Sequence, residues 1–452
     1  MTTKLYESLQ READEILMYD EDYNINARLG LTILIYYTGG GSVAGQRKTL
    51  EVFERFYSQY HGYLKTHFWD GMRRFARINP NAFQKKIDKM IQNAEQGESL
   101  QGVLNSGPSK RAAEYEIKTL SAHPLGGVDD LSYLRITFPL SFLSSSEKRR
   151  EYESWIEYLC KHFDIFHGYA GLSIVLPYAY HKYQFYEYSV TKRYWGVTPD
   201  SGGHDDSLWY EGIKSVSWYT LVGKAFQDKL NRMEIQNVLS HYPDITLKTY
   251  NGTMVFKAGK FPDLGDKTKP LPINYLVVNN LMRPILTQKL NDSLHTAFGN
   301  GRNRYSTSQG YYWLHRWDNA NFENGIFDPK GTKQELMPVY RERPLEAPYA
   351  GMWIPDDLEN AIERHFEEGE VFPDRGEYYK HLLNGTTEIG KGYCVWLGIA
   401  ATEALLGGMM LFFAGSTLPA VIVLGIGLGV VMLAAAGISF VSSSIKDAIW
   451  GE

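Results

Sequence analysis

Two kinds of hydrophobic periodicity alternate along most of the chain. Residues 28–37, RLGLTILIYY, are dense in β-branched and aromatic side chains and predict a strand, as do residues 131–138 and 169–176. Apolar side chains recur at helical spacing across residues 48–67, and the serine cluster at residues 144–146 is typical of the start of a second helix. Both strands and helices are therefore expected to contribute to the core.

A hairpin signal lies further along the chain. Residues 245–250 and 253–258 both have strand composition, and Asn251-Gly252 between them favours a tight two-residue turn. The sequence therefore predicts an α+β fold, in which a mixed, mostly antiparallel sheet packs against helices. Further strands are predicted at 213–219 and 311–317, and further helices around 83–94, 178–194, 221–232 and 275–286.

The composition changes towards the C-terminus, and three regions are predicted from it. Residues 1–345 carry the strand and helix patterns and are expected to form one soluble α+β domain. Residues 346–390 contain several prolines and the acidic run Glu367–Glu370, and we interpret them as a connecting region. Residues 391–452 are expected to hold a membrane hairpin and a short tail.

Two apolar stretches define the predicted membrane hairpin. Residues 394–413 and 417–441 each reach the roughly 20 residues that a transmembrane helix needs. Residues 414–416, Ala-Gly-Ser, predict a turn between them. Glu403 lies within the first stretch, where a carboxylate costs about 3 kcal/mol at the bilayer centre. We expect Glu403 to be protonated, to face the neighbouring helix, or to make a functional contact.

The rest of the chain has the composition of a soluble protein. Mean hydropathy is -0.33, so the apolar tail is a local feature. Residues 1–20 are charged and amphipathic, unlike a signal peptide, and Lys391 and Lys446 flank the apolar stretches. Both ends of the hairpin, and the soluble domain with them, are therefore expected on the cytoplasmic side.

Charge and motifs argue against several classes of function. A net charge of -5 offers no general attraction to nucleic acid. The two cysteines are far apart in the sequence, and no P-loop, Rossmann or zinc-protease motif occurs. No catalytic residue, cofactor or metal site is therefore predicted. A membrane-associated enzyme stays an alternative, and it would need His167, His204 and Asp266 within hydrogen-bond reach of one another.

Several phrases, in this order along the chain, resemble the type VI secretion immunity family, the TsiV-like proteins. The similarity extends from about Arg28 to Asp318. The phrases are LTILIYY, TLEVFERFYSQY, HGYAGLSIVLP, EGIKSVSWYTLVGKAFQDKL, GTMVFKAGKFPDLGD and WLHRWD.

The resemblance implies a protein that binds a cognate secreted effector toxin, either a nuclease or a membrane-acting toxin, and neutralises it without catalysis. The predicted hairpin, residues 394–441, departs from the typically soluble members of that family. We expect it in the bacterial inner membrane, with lipid as a second partner and no nucleic acid. A membrane-inserting toxin is the other alternative. Aromatic residues and exposed loops are typical of binding surfaces, and the candidate toxin contacts are Asp205, Asp206, Trp209, Tyr183 and Tyr186.

Overall fold

The structure is a computed structural model of the chain. It describes residues 2–20, 23–122, 131–178, 183–199, 212–287, 313–318, 320–328, 350–355, 364–373 and 378–380.

A large antiparallel sheet organises the described part of the chain up to residue 258. Its eleven strands are β1 (Met18–Tyr19), β2 (Ile25–Tyr37), β3 (Thr66–Trp69), β4 (Ala76–Arg77), β5 (Gln101–Asn105), β6 (Glu116–Leu120), β7 (Ser132–Phe138), β8 (Ile165–Val175), β9 (Tyr219–Val222), β10 (Ile245–Tyr250) and β11 (Thr253–Ala258). Ten of them follow the order β10-β11-β9-β8-β2-β7-β6-β5-β3-β4, and β1 pairs with β2 beside this path.

The two faces of this sheet differ in character. β2 is the central strand, and the register sets its Ile33 opposite Ile136 of β7 and Ala170 of β8. These side chains point into the main apolar core. The next residue, Leu34, points to the opposite face because side chains alternate along a strand. That second face holds a smaller apolar cluster in which Tyr36 takes part.

Helices cover the first face. The described helices are α1 (Thr2–Glu15), α2 (Val43–Tyr60), α3 (Phe83–Glu95), α4 (Ser146–His162), α5 (Gln184–Arg193), α6 (Lys224–Gln227), α7 (Arg232–His241) and α8 (Ile273–Met282). Phe53 of α2 lies 5.2 Å, ring to ring, from Trp69, and Tyr152 of α4 packs edge-on against Phe138 at 5.8 Å. α3 packs on α2 through Phe83.

Local signals placed several of these elements correctly. Ser145 caps α4, because its hydroxyl accepts a hydrogen bond from the Lys148 backbone N–H at 3.1 Å. Asn251 and Gly252 have φ values of 47° and 80°, the left-handed conformation that a two-residue hairpin turn of this kind requires. The predicted hairpin is therefore confirmed, and so is the α+β class with a large antiparallel sheet.

Other element predictions were wrong. The helix predicted at 221–232 overlaps β9, which ends at Val222, and it is divided into α6 and the start of α7. The strand predicted at 311–317 is a helical turn where it is described, at residues 313–317. Two strands, β5 and β6, lie in the polar region where only helix and loop were expected. Short apolar runs do not distinguish a strand from a buried helix turn.

Five small strands follow the main sheet in the described residues. β12 (Asn321–Glu323) and β13 (Ile326–Asp328) form a hairpin. A separate compact unit contains a three-stranded antiparallel sheet, with β14 (Gly351–Pro355) between β15 (Arg364–Phe366) and β16 (Tyr378–Lys380). Trp353, Phe366 and Phe372 form its apolar cluster.

The described helices include none that is long and apolar enough to cross a membrane. The predicted membrane hairpin, residues 394–441, lies outside the described residues. The predicted hairpin and the predicted boundaries at residues 345 and 390 therefore stay predictions.

Candidate functional site

Two of the five candidate toxin contacts are described. Tyr186 of α5 is half-buried, and its hydroxyl donates a hydrogen bond to the Ile16 carbonyl at 2.7 Å, just beyond α1. Tyr183 lies at the N-terminus of α5 and is also partly buried against the core. Each ring thus has a packing role within the fold. Asp205, Asp206, Trp209 and the intramembrane candidate Glu403 lie outside the described residues.

A membrane-associated enzyme would need His167, His204 and Asp266 close together, but the two of them that are described lie in different surroundings. His167, in β8, is 1% exposed, and its ring centroid lies 4.6 Å from that of Tyr36. Asp266 instead binds Arg193, at 3.1 Å, and the backbone N–H of Thr268 at 3.0 Å. His204, the third member, lies outside the described residues. Within the described residues no group of three or more His, Cys, Asp or Glu side chains is arranged to hold a metal ion.

A cluster of ionisable side chains lies on the second face of the sheet and beside it. Glu116 and Lys118 of β6 and Arg135 of β7 alternate with apolar neighbours that point to the first face. Glu187 of α5 and Lys214 interact with them electrostatically. Glu116, Arg135, Glu187 and Lys214 are at most 4% exposed, and the Lys118 side chain is 17% exposed. We call these five residues together the buried charge cluster.

Specific contacts hold the members of the buried charge cluster in place. The Asn105 side-chain amide donates to Glu116 at 2.9 Å, and the Arg135 guanidinium lies 3.4 Å from the Ser173 hydroxyl. The Lys214 ammonium donates to the Tyr169 hydroxyl at 3.3 Å. Buried charges need partners of this kind, because an unpaired charge in the interior is costly.

Arg316 extends the charged region from the chain segment after α8. It is 1% exposed, and its guanidinium donates to the Trp195 carbonyl at 2.6 Å and to the Ser215 hydroxyl at 2.7 Å. It also stacks on Trp313, with its Cζ atom 3.6 Å from the ring centroid. Arg316 therefore connects the WLHRWD segment to the loop that carries Lys214.

Burial shifts the protonation of this region. It lowers the pKa of Lys214 to about 7, with Arg135 and Arg316 adding to the effect and Glu187 opposing it. It lowers the pKa of Lys118 to about 8, where Arg135 also contributes. The pKa of His167 falls to about 3 through burial and the nearby Lys214.

Perturbed pKa values mark candidate functional sites, but buried ionic networks within a fold produce them too. A lysine with a pKa near 7 has the protonation behaviour of a general base. Lys214 is only 1% exposed, however, so a substrate has little direct access to it. We interpret the buried charge cluster as a network that fixes the segments packed over the second face in one arrangement.

A groove of about 240 Å³ lies between α4 and the β10–β11 hairpin. At its base, Glu153 accepts hydrogen bonds from the Tyr219 hydroxyl at 2.6 Å and the Lys257 ammonium at 2.7 Å. Burial alone would raise the pKa of Glu153, but these two hydrogen bonds hold it below its usual value. The groove is lined by Glu153, Ile156, Tyr219, Pro243, Asp244, Thr246, Lys248, Tyr250, Val255, Lys257 and Lys260.

Sequence reasoning missed both the buried charge cluster and the groove. The signal for the cluster is visible in retrospect, since EIKTL and SYLRITF each place a cation among apolar strand residues. Such a pattern normally indicates a solvated face. The groove depends on residues from α4 and from the hairpin about 90 positions later, so no local pattern marks it.

Comparison with known proteins identifies related sequences and folds. A family model described as TsiV, type VI immunity for VRR-NUC, matches residues 48–317. Among solved structures, the chain is similar to the Pseudomonas aeruginosa T6SS protein PA0821, with a TM-score of 0.56 and 17% sequence identity. The match covers 69% of this chain and 90% of that one, and at this identity it concerns the fold alone. No curated protein matches the chain.

Proposed function

The chain belongs to the TsiV family of type VI immunity proteins, and we propose that it binds a cognate VRR-NUC effector and blocks its nuclease activity. The match of the family model over residues 48–317 carries this proposal. Those residues include β3–β11 of the main sheet, most of α2 and all of α3–α8, so the likeness extends over most of the described fold.

The proposed mechanism is stoichiometric binding. An immunity protein of this kind needs a rigid surface that excludes the effector's substrate, and the described sheet with its covering helices supplies a rigid scaffold. No chemical step by this chain is required, which agrees with the low exposure of Lys214 and His167. Protection then depends on the affinity for the effector and on the rate of capture.

We extend the proposal to location. The two apolar stretches at residues 394–413 and 417–441 would hold the chain at the bacterial inner membrane, with the immunity domain on the cytoplasmic side. A tether there would keep the inhibitor close to the membrane that an injected effector has to pass. The support for this part is the sequence of the tail.

Co-expression in a bacterium tests the proposed function. We expect the cognate nuclease to be encoded beside this chain's gene. It should arrest growth by itself, and the full chain should restore growth when both are produced. A nuclease variant without catalytic activity is the matched control for the burden of expression. Growth arrest by this chain alone would overturn the proposal and favour a membrane-inserting toxin.

The candidate contact residues need their own test. We propose that Asp205, Asp206 and Trp209 touch the effector, since acidic and aromatic side chains in a loop suit a basic cleft. Changing all three to alanine is expected to weaken binding to the purified nuclease by at least about tenfold, or 1.4 kcal/mol. Undiminished binding would remove this loop from the interface without affecting the proposed function.

A further inference from the structure

One segment of this acidic chain is strongly basic. Residues 65–89 contain seven lysine and arginine residues but only two carboxylates, although the whole chain has a net charge of -5. The segment comprises β3, β4 and the first seven residues of α3. We call it the basic edge, and its cations are Lys65, Arg73, Arg74, Arg77, Lys85, Lys86 and Lys89.

The fold brings this segment together at one end of the main sheet. β4 is the last strand in the sheet order, and it pairs with β3. The Ile78 backbone N–H donates to the Lys65 carbonyl at 2.9 Å, which extends that pairing by one residue. α3 begins only three residues after Pro80, and Lys86 on it is close enough to His67 of β3 to help lower the pKa of that histidine, after burial.

The cations of the basic edge point into solvent without acidic partners. All except Lys86 are exposed, and among the described residues none has a carboxylate within 4 Å. The two carboxylates of the segment are engaged locally. Asp70 accepts from the Gly71 backbone N–H at 2.8 Å, and Asp88 accepts from the Gln84 side chain at 3.2 Å. The positive charge is therefore available to a partner.

We propose that the basic edge is a contact surface for an acidic face of the cognate effector protein. The inference rests on the proposed function and adds to it the position and the charge of one interface. Arginine suits this role because its planar guanidinium binds a carboxylate through two parallel hydrogen bonds. Arg73, Arg74 and Arg77 lie together in the β3–β4 hairpin and its turn.

The aromatic side chains beside these arginines favour a protein over a nucleic acid or a membrane. Phe68 and Phe75 stack with ring centroids 5.5 Å apart, and Phe75 meets Tyr178 edge-on at 4.9 Å. Bases stack on free ring faces, which these mutual contacts occupy. Membrane-surface segments insert exposed apolar side chains, whereas Phe68 and Phe75 are half-buried. Aromatic side chains beside arginine are typical of protein interfaces.

Charge of this kind acts chiefly on the rate of association. Complementary fields raise association rates by about 10- to 1,000-fold, and salt suppresses the effect. Capture speed matters for an inhibitor whose target is injected and active at once. The basic edge is therefore expected to influence how quickly the effector is captured.

The test compares two triple charge reversals in the full chain, purified in mild detergent. Arg73→Glu, Arg74→Glu and Arg77→Glu together reverse the β3–β4 hairpin. Lys224→Glu, Lys229→Glu and Lys267→Glu change the net charge equally outside the basic edge and outside the groove, at exposed lysines that also have no carboxylate within 4 Å among the described residues. The partner is the catalytically inactive nuclease encoded beside the gene, and association rates are measured at low and high salt.

We expect the hairpin variant to associate about tenfold more slowly at low salt, with a weaker dependence on salt, while the lysine variant retains most of the rate. A second variant with Gln at the three arginine positions removes charge without reversing it. Its association rate at low salt and its dependence on salt are expected to fall by less than those of the hairpin variant. If neither arginine variant differs from the lysine variant, the basic edge is not a contact surface, although the proposed function stands.

Two further outcomes distinguish an effector-binding surface from a surface that binds nucleic acid or an anionic membrane. A 30-base-pair duplex DNA and anionic phosphatidylglycerol vesicles are tested with the same variants. If either arginine variant loses DNA or vesicle binding while capturing the nuclease at the original rate, the surface serves a polyanion and the inference is overturned. If the unchanged chain fails to bind the nuclease at all, the proposed function fails and this inference fails with it.

Discussion

At the scale of single residues, burial determines the behaviour of the ionisable side chains on the second face of the sheet. His167 is enclosed by the rings of Tyr36 and Phe226, at centroid distances of 4.6 and 6.3 Å. The lowered pKa of about 3 means that the folded protein keeps this imidazole neutral at pH 7 and at mildly acidic pH. The same residue type on the surface would titrate near 6.5.

His167 should make the fold sensitive to acid. Its pKa is lower in the folded than in the unfolded state, so the unfolded chain binds more protons between about pH 3 and 6.5, and stability falls as the pH falls through that window. Between pH 7 and pH 5 the residue is expected to account for a loss of about 2 kcal/mol in the free energy of unfolding. His167→Gln should remove that part of the loss.

Urea unfolding at pH 7 and pH 5, followed by tryptophan fluorescence, measures this difference. His241→Gln, at an exposed position near the end of α7, is the matched control. An equal pH dependence in the original chain and in His167→Gln would contradict the prediction.

The two described contact candidates can be distinguished by stability. Tyr186→Phe deletes the hydroxyl that donates to the Ile16 carbonyl, so it should lower the free energy of unfolding by about 1 kcal/mol. Tyr183→Phe serves as the control, because no hydrogen bond of the Tyr183 hydroxyl is present within the described residues. Thermal unfolding of both variants is the measurement, and equal melting temperatures would argue against a structural role for the Tyr186 hydroxyl.

At the scale of elements, boundaries were predictable where a local residue fixes the backbone. Serine at a helix start and Asn-Gly in a hairpin act within a few positions, so Ser145 and Asn251 could be placed from sequence. The region around Val222 was predicted incorrectly because an apolar run of that length fits either element. Its pairing with β8 and β11 decides the outcome, and that pairing involves residues about 30 to 55 positions away.

The start of α4 offers an internal comparison among three adjacent serines. Ser145→Ala removes the hydroxyl that accepts from the Lys148 N–H, so it should cost about 1 kcal/mol of stability. Ser146→Ala changes the first helical residue, which is exposed and has no such bond in the described structure, and should have little effect. Urea midpoints of the two variants test this, and a larger loss from Ser146→Ala would contradict the capping assignment.

At the scale of the whole molecule, the large sheet and the apolar tail are separable in the sequence. The main core of the described residues extends from Leu9 to Ala320. The family match also ends before the tail, at residue 317. Immunity and membrane attachment can therefore be tested independently of each other.

Truncation after Gly390 tests this separation. The shortened chain should be monomeric, soluble without detergent and folded, because the main core and its covering helices remain complete. Size-exclusion chromatography and thermal unfolding are the measurements, with the full chain in detergent as the control. Aggregation of the shortened chain, alongside good behaviour of the full chain, would assign the tail to the folded core.

The sequence by itself determined the features that depend on neighbouring residues: the α+β class, the caps, the hairpin turn and the ordered phrases of the TsiV family, which the family model confirms. Only the tertiary structure decided where distant residues meet. Lys118 and Arg135 are cations in half-apolar strands, and segments packed over the second face of the sheet bury Arg135 and leave the Lys118 side chain 17% exposed. The basic edge likewise required the fold, because a run of charges becomes one surface only when β3, β4 and α3 pack at the end of one sheet.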